Sequence, residues 1–405
     1  MEGIVISSVM DKDIIFMNAI RKVGYLFMAA IVQSIIKATV SLFPLKKNKY
    51  FCISMNGLNY GDNIKCMSDY IEINNSNSQI VWGFDANYFK SVDCRYKKVK
   101  TFSFMYYFHI LTSKYIICNF AMDFRFLRKR KGQIFLQTWH GTALKRIGYD
   151  MYKSEKQDIF YRWFKVDRIK DTTNNADIWL SGSKFMTGVF RKSFRYTKEI
   201  SEIGTPRNDI FFQNRPDVIK KIRDMYNIGD KKILLYAPTF RQDFGFTYYD
   251  VDLNAICSYW EQKMGKQYVV MVRLHPNMLR KKDELSLKTS RDIINVSTYP
   301  DMQELLYATD VLVTDYSSSM FDYMYLRRPV IMYVPDYNIY NRGFYMDIHN
   351  LPFIIIKNNE EIESKLSHFD EIKYIEKLNG FISNIGSVEN GNATTKCYEL
   401  LMQMS

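Results

Sequence analysis

Three short clusters in this sequence carry side chains that can move a proton or hold an anion. In Gln137-Thr138-Trp139-His140-Gly141-Thr142, a histidine sits between a tryptophan and a glycine, directly after the apolar run Ile134 to Leu136. Imidazole titrates near neutrality, so His140 can take a proton from a hydroxyl. Gly141 lets a ligand approach the backbone closely. The plainer use of such a histidine is to cap the sheet through hydrogen bonds. In Arg273-Leu274-His275-Pro276 the two basic residues alternate at a strand end and share one face. They suit phosphate oxygens, or a salt-bridged strand end. Ser317-Ser318-Ser319 follows Val311-Leu312-Val313 and Thr314-Asp315, and precedes a helical pattern of Met320, Phe321, Met324 and Tyr325. Free N–H groups at a helix start attract anions, and three hydroxyls add donors, which suits a phosphate or pyrophosphate. A single serine there would be an ordinary N-cap. Asp322 shares a helix face with Ser318 or Ser319 and can accept from ribose hydroxyls, against capping or a surface charge as the alternatives.

These clusters need elements to position them, and the hydrophobic pattern supplies strands alternating with helices. Strands are expected at Tyr50 to Met55, around Ile80-Val81-Trp82, at Val99 to Phe102, Tyr115 to Cys118, Ile134 to Gln137, Ile178 to Leu180 and Ile200 to Ile203. A second series covers Ile233 to Tyr236, Val269 to Leu274, Ile293 to Val296, the run before the serines, Val330 to Val334 and Ile354 to Ile356. Helices are expected at Phe104 to Thr112, Val251 to Met264 and Met302 to Thr309, with a helical connector over Asp209 to Gly229. This is an α/β chain with two mostly parallel sheets. Ligand sites in such sheets lie at the carboxyl ends of strands. His140, Pro238-Thr239, His275 and Ser317 to Ser319 all fall there. Gly204-Thr205-Pro206-Arg207-Asn208-Asp209 is a turn between a strand and a helix, and turn residues alone explain most of it.

A chain of 405 residues exceeds one ordinary core, so two domains are expected. Its 47% hydrophobic and 16% aromatic content excludes a disordered chain. Lys+Arg 56 against Asp+Glu 43 leaves +13, which suits nucleic acid, an anionic membrane or a phosphate-rich substrate. No nucleic-acid motif appears, so no nucleic-acid partner is expected. The six cysteines form no CxxC pair and read as reduced core residues of a cytosolic protein. The N-terminus does not read as a secretory signal. Ile14 to Phe43 is mostly apolar with one narrow polar stripe, Asn18, Lys22, Tyr25, Ala29, Gln33, Lys37 and Ser41. Its charge-free part, Val23 to Ile36, is shorter than the ~20 residues a spanning helix needs. An interfacial helix is favoured over a transmembrane one, with packing on its own domain as the rival. Lys46-Lys47-Asn48-Lys49 and the FRFLRKRK stretch from Phe124 to Lys131 are candidate faces for anionic lipid.

Taken together and in order, QTWHGTALK, GTPRND, YAPTFR, RLHP, TDYSSSMFD and Arg342-Gly343-Phe344-Tyr345 resemble the CDP-glycerol glycerophosphotransferases of wall teichoic acid synthesis. The loop from Gly57 to Asn63 is also similar. Ala143 departs from the proline the family commonly has after HGT. The resemblance implies a GT-B architecture, two Rossmann-like domains facing a cleft, attached peripherally to the cytoplasmic face of the cell membrane. On it, 1–48 is an amphipathic helical segment. Residues 49–212 form the acceptor domain, with a helix near 150–173 for membrane contact or for covering the cleft. Residues 213–405 form the donor domain, with a last helix able to return to the first. His140 matches the family's proposed general base, His275 the phosphate-supporting histidine, and Ser317, Ser318 and Ser319 the pyrophosphate turn. Asp322, Arg273, Thr239, Pro238, Thr205 and Arg207 fall on the donor side, and Gly141, Thr142, Asp62 and Asn63 on the acceptor side. The partners implied are CDP-glycerol or CDP-ribitol, a prenyl-diphosphate-linked glycan acceptor and an anionic membrane surface. The alternatives are a ribitol phosphate transferase, a GT-B glycosyltransferase using a nucleotide sugar, and a non-catalytic membrane subunit. No cofactor is expected, and no carboxylate pair marks an obligatory metal.

Overall fold

The apolar runs become the strands of two parallel sheets. The computed structural model describes residues 42–122, 129–151, 172–239, 249–274, 291–340 and 342–404, with Arg241 and single positions within 23–39 and 166–170. The first sheet has seven strands: β1 (Lys46–Ile53), β2 (Gln79–Phe84), β3 (Lys97–Lys100), β4 (Ser113–Cys118), β5 (Ile134–Gln137), β6 (Ile178–Ser181) and β7 (Glu199–Glu202), in the order β3-β2-β1-β4-β5-β6-β7. The second has six: β8 (Lys232–Ala237), β9 (Tyr268–Val272), β10 (Ile293–Asn295), β11 (Val311–Thr314), β12 (Val330–Tyr333) and β13 (Ile354–Ile356), in the order β10-β9-β8-β11-β12-β13. Every pairing in both is parallel. Phe51, Cys52, Ile116, Leu234, Leu312 and Val313 are completely buried, as expected of strands covered on both faces.

In each sheet the strand order reverses beside the first strand, between β1 and β4 and between β8 and β11. Such a reversal opens a crevice at the carboxyl ends, where helices on the two neighbouring strands leave to opposite faces. The residues just past these strand ends are Ser54 and Asn119 in the first sheet, and Pro238-Thr239 and Asp315 in the second. His140, against Asn119, and Thr239, against Asp315, lie at these two crevices.

Helix α1 (Asp62–Asn74) and helix α2 (Phe104–Thr112) flank the first sheet, and helix α3 (Met302–Ala308) leads into β11. The helix after the serines, α4 (Ser319–Tyr323), has only five residues and passes into a 3-10 turn, Met324–Leu326. The sequence pattern extends it through Tyr325. The 3-10 turn carries it through Leu326, and Arg327, in the left-handed conformation at φ 56°, closes it. The last helix, α5 (Ala393–Gln403), packs back on the first sheet: Cys397 and Leu401 join the cluster of Cys52, Trp82, Ile117 and Leu136. A helix over Lys184–Ser193, capped by Ser183, joins β6 to β7 and is not anticipated by the sequence reading.

Two short backbone pairings join the halves. Arg146 N–H donates to Gly343 O at 3.1 Å, and Tyr345 N–H to Leu144 O at 2.8 Å. Phe185 N–H donates to Ile385 O, and Val388 N–H to Gly182 O, both at 3.0 Å. The Tyr345 hydroxyl pins the first pairing by contacting Ser193 Oγ at 2.5 Å and Asp150 Oδ2 at 3.2 Å.

Val23, Phe27, Met28, Ile31 and Ile35 are helical and exposed, so the described side of the N-terminal segment does not pack on the protein. Among the described residues no helix is long and apolar enough to cross a membrane. The basic stretches are used differently from the sequence expectation. Lys46 to Lys49 form part of β1, and Lys49 is buried rather than turned to lipid. Lys129 pairs with Asp177, and Arg130 donates to the carbonyls of Phe43 and Leu111. Residues 123–128 and 152–165 lie outside the described residues.

Leu401→Ala should cost about 2–5 kcal/mol, because it opens a cavity between α5 and the first sheet. Urea unfolding followed by the fluorescence of Trp82 and the other tryptophans measures this.

Candidate functional site

His140 is aimed by a strained turn at the end of β5. Trp139 has φ 55° and Gly141 φ 123°, so the chain doubles back around the histidine. A left-handed tryptophan persists only where its surroundings hold it. Here Trp139 is wedged among Trp179, Phe190 and Phe194, and its N–H donates to Gln137 Oε1 at 2.9 Å. The Trp139 ring stacks on the imidazole at 4.2 Å.

The other ring edge of His140 sets its tautomer. Nδ1 lies 2.6 Å from the carbonyl oxygen of Asn119, which can only accept. Nδ1 therefore carries the hydrogen, and Nε2 keeps its lone pair. Burial is the main cause that lowers the imidazole pKa below its ordinary value. The Asn119 carbonyl and Asp62 oppose that shift, while the Arg207 and Arg342 charges reinforce it. His140 is thus a neutral ring at neutral pH with an available base nitrogen. Asn119 is itself locked, accepting from Met55 N–H at 2.9 Å and donating to Ser54 Oγ at 3.1 Å.

Beside His140, one guanidinium joins the two halves. Arg207 pairs through Nη1 with Asp62 Oδ2 and through Nη2 with Asp322 Oδ2, both at 2.7 Å. Asp62 begins α1, and Asp322 lies in α4 below the serine turn. Burial works against the charge on Arg207, but Asp322 and Asp62 outweigh it and hold the pKa above its ordinary range. Asn63 completes the joint, accepting from Arg207 N–H at 2.9 Å and donating to Trp139 O at 3.0 Å. Gly141 packs straight onto it. A Cβ there would run into Arg207 Nη2 and lie 3.1 Å from Ser318 Oγ, so the histidine turn and the serine turn touch across the cleft. Between Gly141, Thr142, Asp322 and Glu389 only about 20 Å³ is left open, room for roughly one water.

This geometry redistributes the residues expected from the sequence. Asp322 faces Arg207 and Gln303 Nε2 (3.0 Å), so it is not a free carboxylate for a ribose. Asn63 is fully buried and serves as a strut rather than an acceptor contact. Thr205 binds Glu389 through its N–H and hydroxyl instead of facing the donor side. Burial raises the Glu389 pKa to about 7. Asp209, in the same turn, caps α5 by accepting from Ala393 and Thr394 N–H. The turn that looked generic in sequence is therefore a structural hub. Arg273 donates to the carbonyls of Val296 and Tyr299, on the β10 side of the sheet. His275 lies outside the described residues.

On the donor-side crevice, Thr239 N–H donates to both oxygens of Asp315 at 3.0 Å. Ser319 Oγ donates to Ser317 Oγ at 2.8 Å, and Ser318 faces Gly141. Three cations that received no role from the sequence lie on this side, although each stands in a quoted motif: Arg241 and Lys145 act on Asp315, and Arg342 acts on Lys145. Arg241 is neutralised by Asp315 at 2.8 Å and Asp336 at 2.7 Å. Lys145 is driven down to about 8, first by burial and then by repulsion from Arg342. Arg342 has a buried Nε without a hydrogen-bond partner, and its Nη2 reaches only Met151 Sδ at 3.4 Å. Within the described residues, Lys145 and Arg342 have no carboxylate ion pair, unlike Arg207 and Arg241.

A family model described as CDP-glycerol:poly(glycerophosphate) glycerophosphotransferase matches residues 35–403. A teichoic acid poly(glycerol phosphate) polymerase of Bacillus spizizenii is 28% identical over 92% of this chain and 96% of its own length. A teichoic acid glycerol-phosphate transferase of Staphylococcus aureus is 32% identical over 88% of this chain and 93% of its own. The solved structure of the wall teichoic acid polymerase TagF superposes with a TM-score of 0.79 at 29% identity, covering 96% of this chain and 97% of that one.

Arg207→Met should cost about 3–5 kcal/mol, since it strands the buried carboxylate of Asp322 and the half-buried one of Asp62. Equilibrium denaturation at neutral pH measures it, and lowering the pH to protonate Asp322, whose pKa burial already raises, should recover part of the loss.

Proposed function

The chain belongs to the CDP-glycerol:poly(glycerophosphate) glycerophosphotransferase family and is a CDP-glycerol-dependent transferase of teichoic acid synthesis; on that premise we propose how its residues carry the transfer. The donor occupies the crevice of the second domain, residues 213–405, with its diphosphate over Ser317 to Ser319. The observation that carries this reading is the cleft itself: the first domain brings a neutral histidine with a free Nε2 and Lys145, the second brings the serine hydroxyls and Arg342, and neither cation has a carboxylate ion pair among the described residues.

His140 Nε2 takes the proton from a terminal hydroxyl of a prenyl-diphosphate-linked acceptor. The acceptor oxygen attacks the β-phosphorus of CDP-glycerol. The bond from that phosphorus to the bridging oxygen breaks, and CMP leaves with the bridging oxygen. Charge grows on the leaving phosphate, and this is where fixed donors lower the barrier most. Lys145, Arg342 and the serine hydroxyls supply them, and His275 joins them on the family resemblance. Because α4 is short, hydroxyls and side-chain cations do more here than a helix dipole. Gly141 and Thr142 form the acceptor side of the cleft. Membrane attachment at the cytoplasmic face fits the lipid-linked acceptor, and the exposed apolar positions from Val23 to Ile35 support it.

With CDP-glycerol and a prenyl-diphosphate-linked acceptor analogue, the protein should release CMP and add glycerol phosphate units visible by mass spectrometry. Turnover of CDP-ribitol or a nucleotide sugar in place of CDP-glycerol would overturn the donor assignment. His140→Ala should lower CMP release about 10²–10⁴-fold, and near-normal release would remove His140 from the base role.

Since the Lys145 pKa is about 8 in the free protein, kcat/KM for the donor should fall as pH rises through that value and the ammonium loses its charge. Lys145→Arg should carry the break to higher pH. An unmoved break would mean that another group titrates there.

A further inference from the structure

A basic pocket opens at the edge of the first sheet opposite the cleft. All parallel strands begin at this edge, so it gathers Lys46 and Lys49 from β1 and Lys97 from the start of β3. Helix α2 closes one side with Met105, Phe108 and His109. The cavity is about 500 Å³, the size of a small-ligand site.

Two observations separate it from an ordinary solvated basic face. Lys49 is 2% exposed, donates to Thr112 Oγ1 at 2.5 Å, and lies 5.2 Å from the centre of the Phe108 ring. The charges acting on it come from Lys46 and Lys97, and both repel. His109 is 5% exposed, lines the cavity, and among the described residues has no hydrogen-bond partner on either ring nitrogen. Buried polar atoms left unpaired on both sides of a ring are rare and call for a missing partner. The neighbouring charges on His109 are again Lys49, Lys97 and Lys46. Arg95 at the rim is already neutralised by Asp69 and Glu72. A group with several acceptor oxygens and negative charge satisfies the three ammonium groups and the imidazole N–H at once.

We propose that this pocket is a second anion site, distinct from the transfer cleft, that takes a phosphate group carried by an anionic lipid headgroup or by a soluble phosphate ester. The rim suits a headgroup presented from a bilayer, because Met105, in the lining, and Phe104 beside it are 41% and 71% exposed. The site stands whether or not the proposed transfer mechanism does, since His140 follows the opposite end of its strand.

The test has two arms on the full chain. In the soluble arm, the ring resonance of His109 in ¹³C-histidine-labelled protein is followed during titration with inorganic phosphate and glycerol 3-phosphate. It is assigned by its loss in His109→Gln or, should that variant not fold, by elimination with variants of the other histidines. In the lipid arm, co-sedimentation is compared on phosphatidylcholine vesicles with and without phosphatidylglycerol. Lys46→Ala/Lys97→Ala removes two exposed pocket cations, and Lys47→Ala/Lys131→Ala removes two exposed cations outside it. A response in the soluble arm that the pocket variant weakens at least tenfold supports a soluble ester. A phosphatidylglycerol-dependent gain that the pocket variant weakens at least fivefold, and the control variant does not, supports a headgroup. No response in either arm, or equal losses in the two variants, overturns the proposal.

Discussion

The contact on which the rest depends is the buried bridge Asp62–Arg207–Asp322. One planar cation holds the start of α1 in the first domain and α4 in the second, each through a 2.7 Å contact. Among the described residues its remaining nitrogen, Nε, has no partner, and these two carboxylates are its ion pairs. Burying such a triad brings little net stability, because desolvation offsets most of the attraction. Its value is geometric, because a guanidinium with fixed fork angles sets the distance and tilt between two sheets as apolar packing does not. Through Asn63 and Gly141 the same bridge fixes the Trp139–His140 turn against Ser318.

From that joint the electrostatics of the cleft follow. Arg207 and Arg241 are paired with carboxylates and act as structure. Among the described residues Lys145 and Arg342 have no such partners, and they repel each other. His140 feels the charges of Arg207 and Arg342, and its buried ring stays neutral. The first domain also collects cations at the other edge of its sheet, around Lys49 and His109. The net positive charge of the chain is thus partly concentrated at two buried places rather than spread over the surface.

The fold was largely legible in the sequence, because strands covered on both faces must be short, apolar and bounded by turns. Phe104 to Thr112 and Ile354 to Ile356 coincide with their elements, and most other boundaries fall within a few residues. The helix at Lys184–Ser193 escaped, although Met186, Val189 and Phe190 recur at helical spacing and Ser183 supplies an N-cap. The site was legible as a set of motifs, but not as a division of labour. Thr205, Arg207, Asn63 and Asp322 carry the side chains of ligand-binding residues, yet tertiary contacts engage them within the protein. Lys145, Arg241 and Arg342 were visible letters within motifs, and only their neighbours separate the paired one from the other two.

What the sequence determined by itself was the alternation of elements, the two parallel sheets, the family and the polar clusters at strand ends. These depend on periodicity and local turn chemistry, which act over a few residues. The tertiary structure decided which polar groups are satisfied and which remain open. Arg207 finds Asp62 from 145 residues away in the chain, and no local pattern encodes such a meeting. A side chain's availability for chemistry depends on what folding brings beside it, and burial fixes the energetic weight of that neighbour.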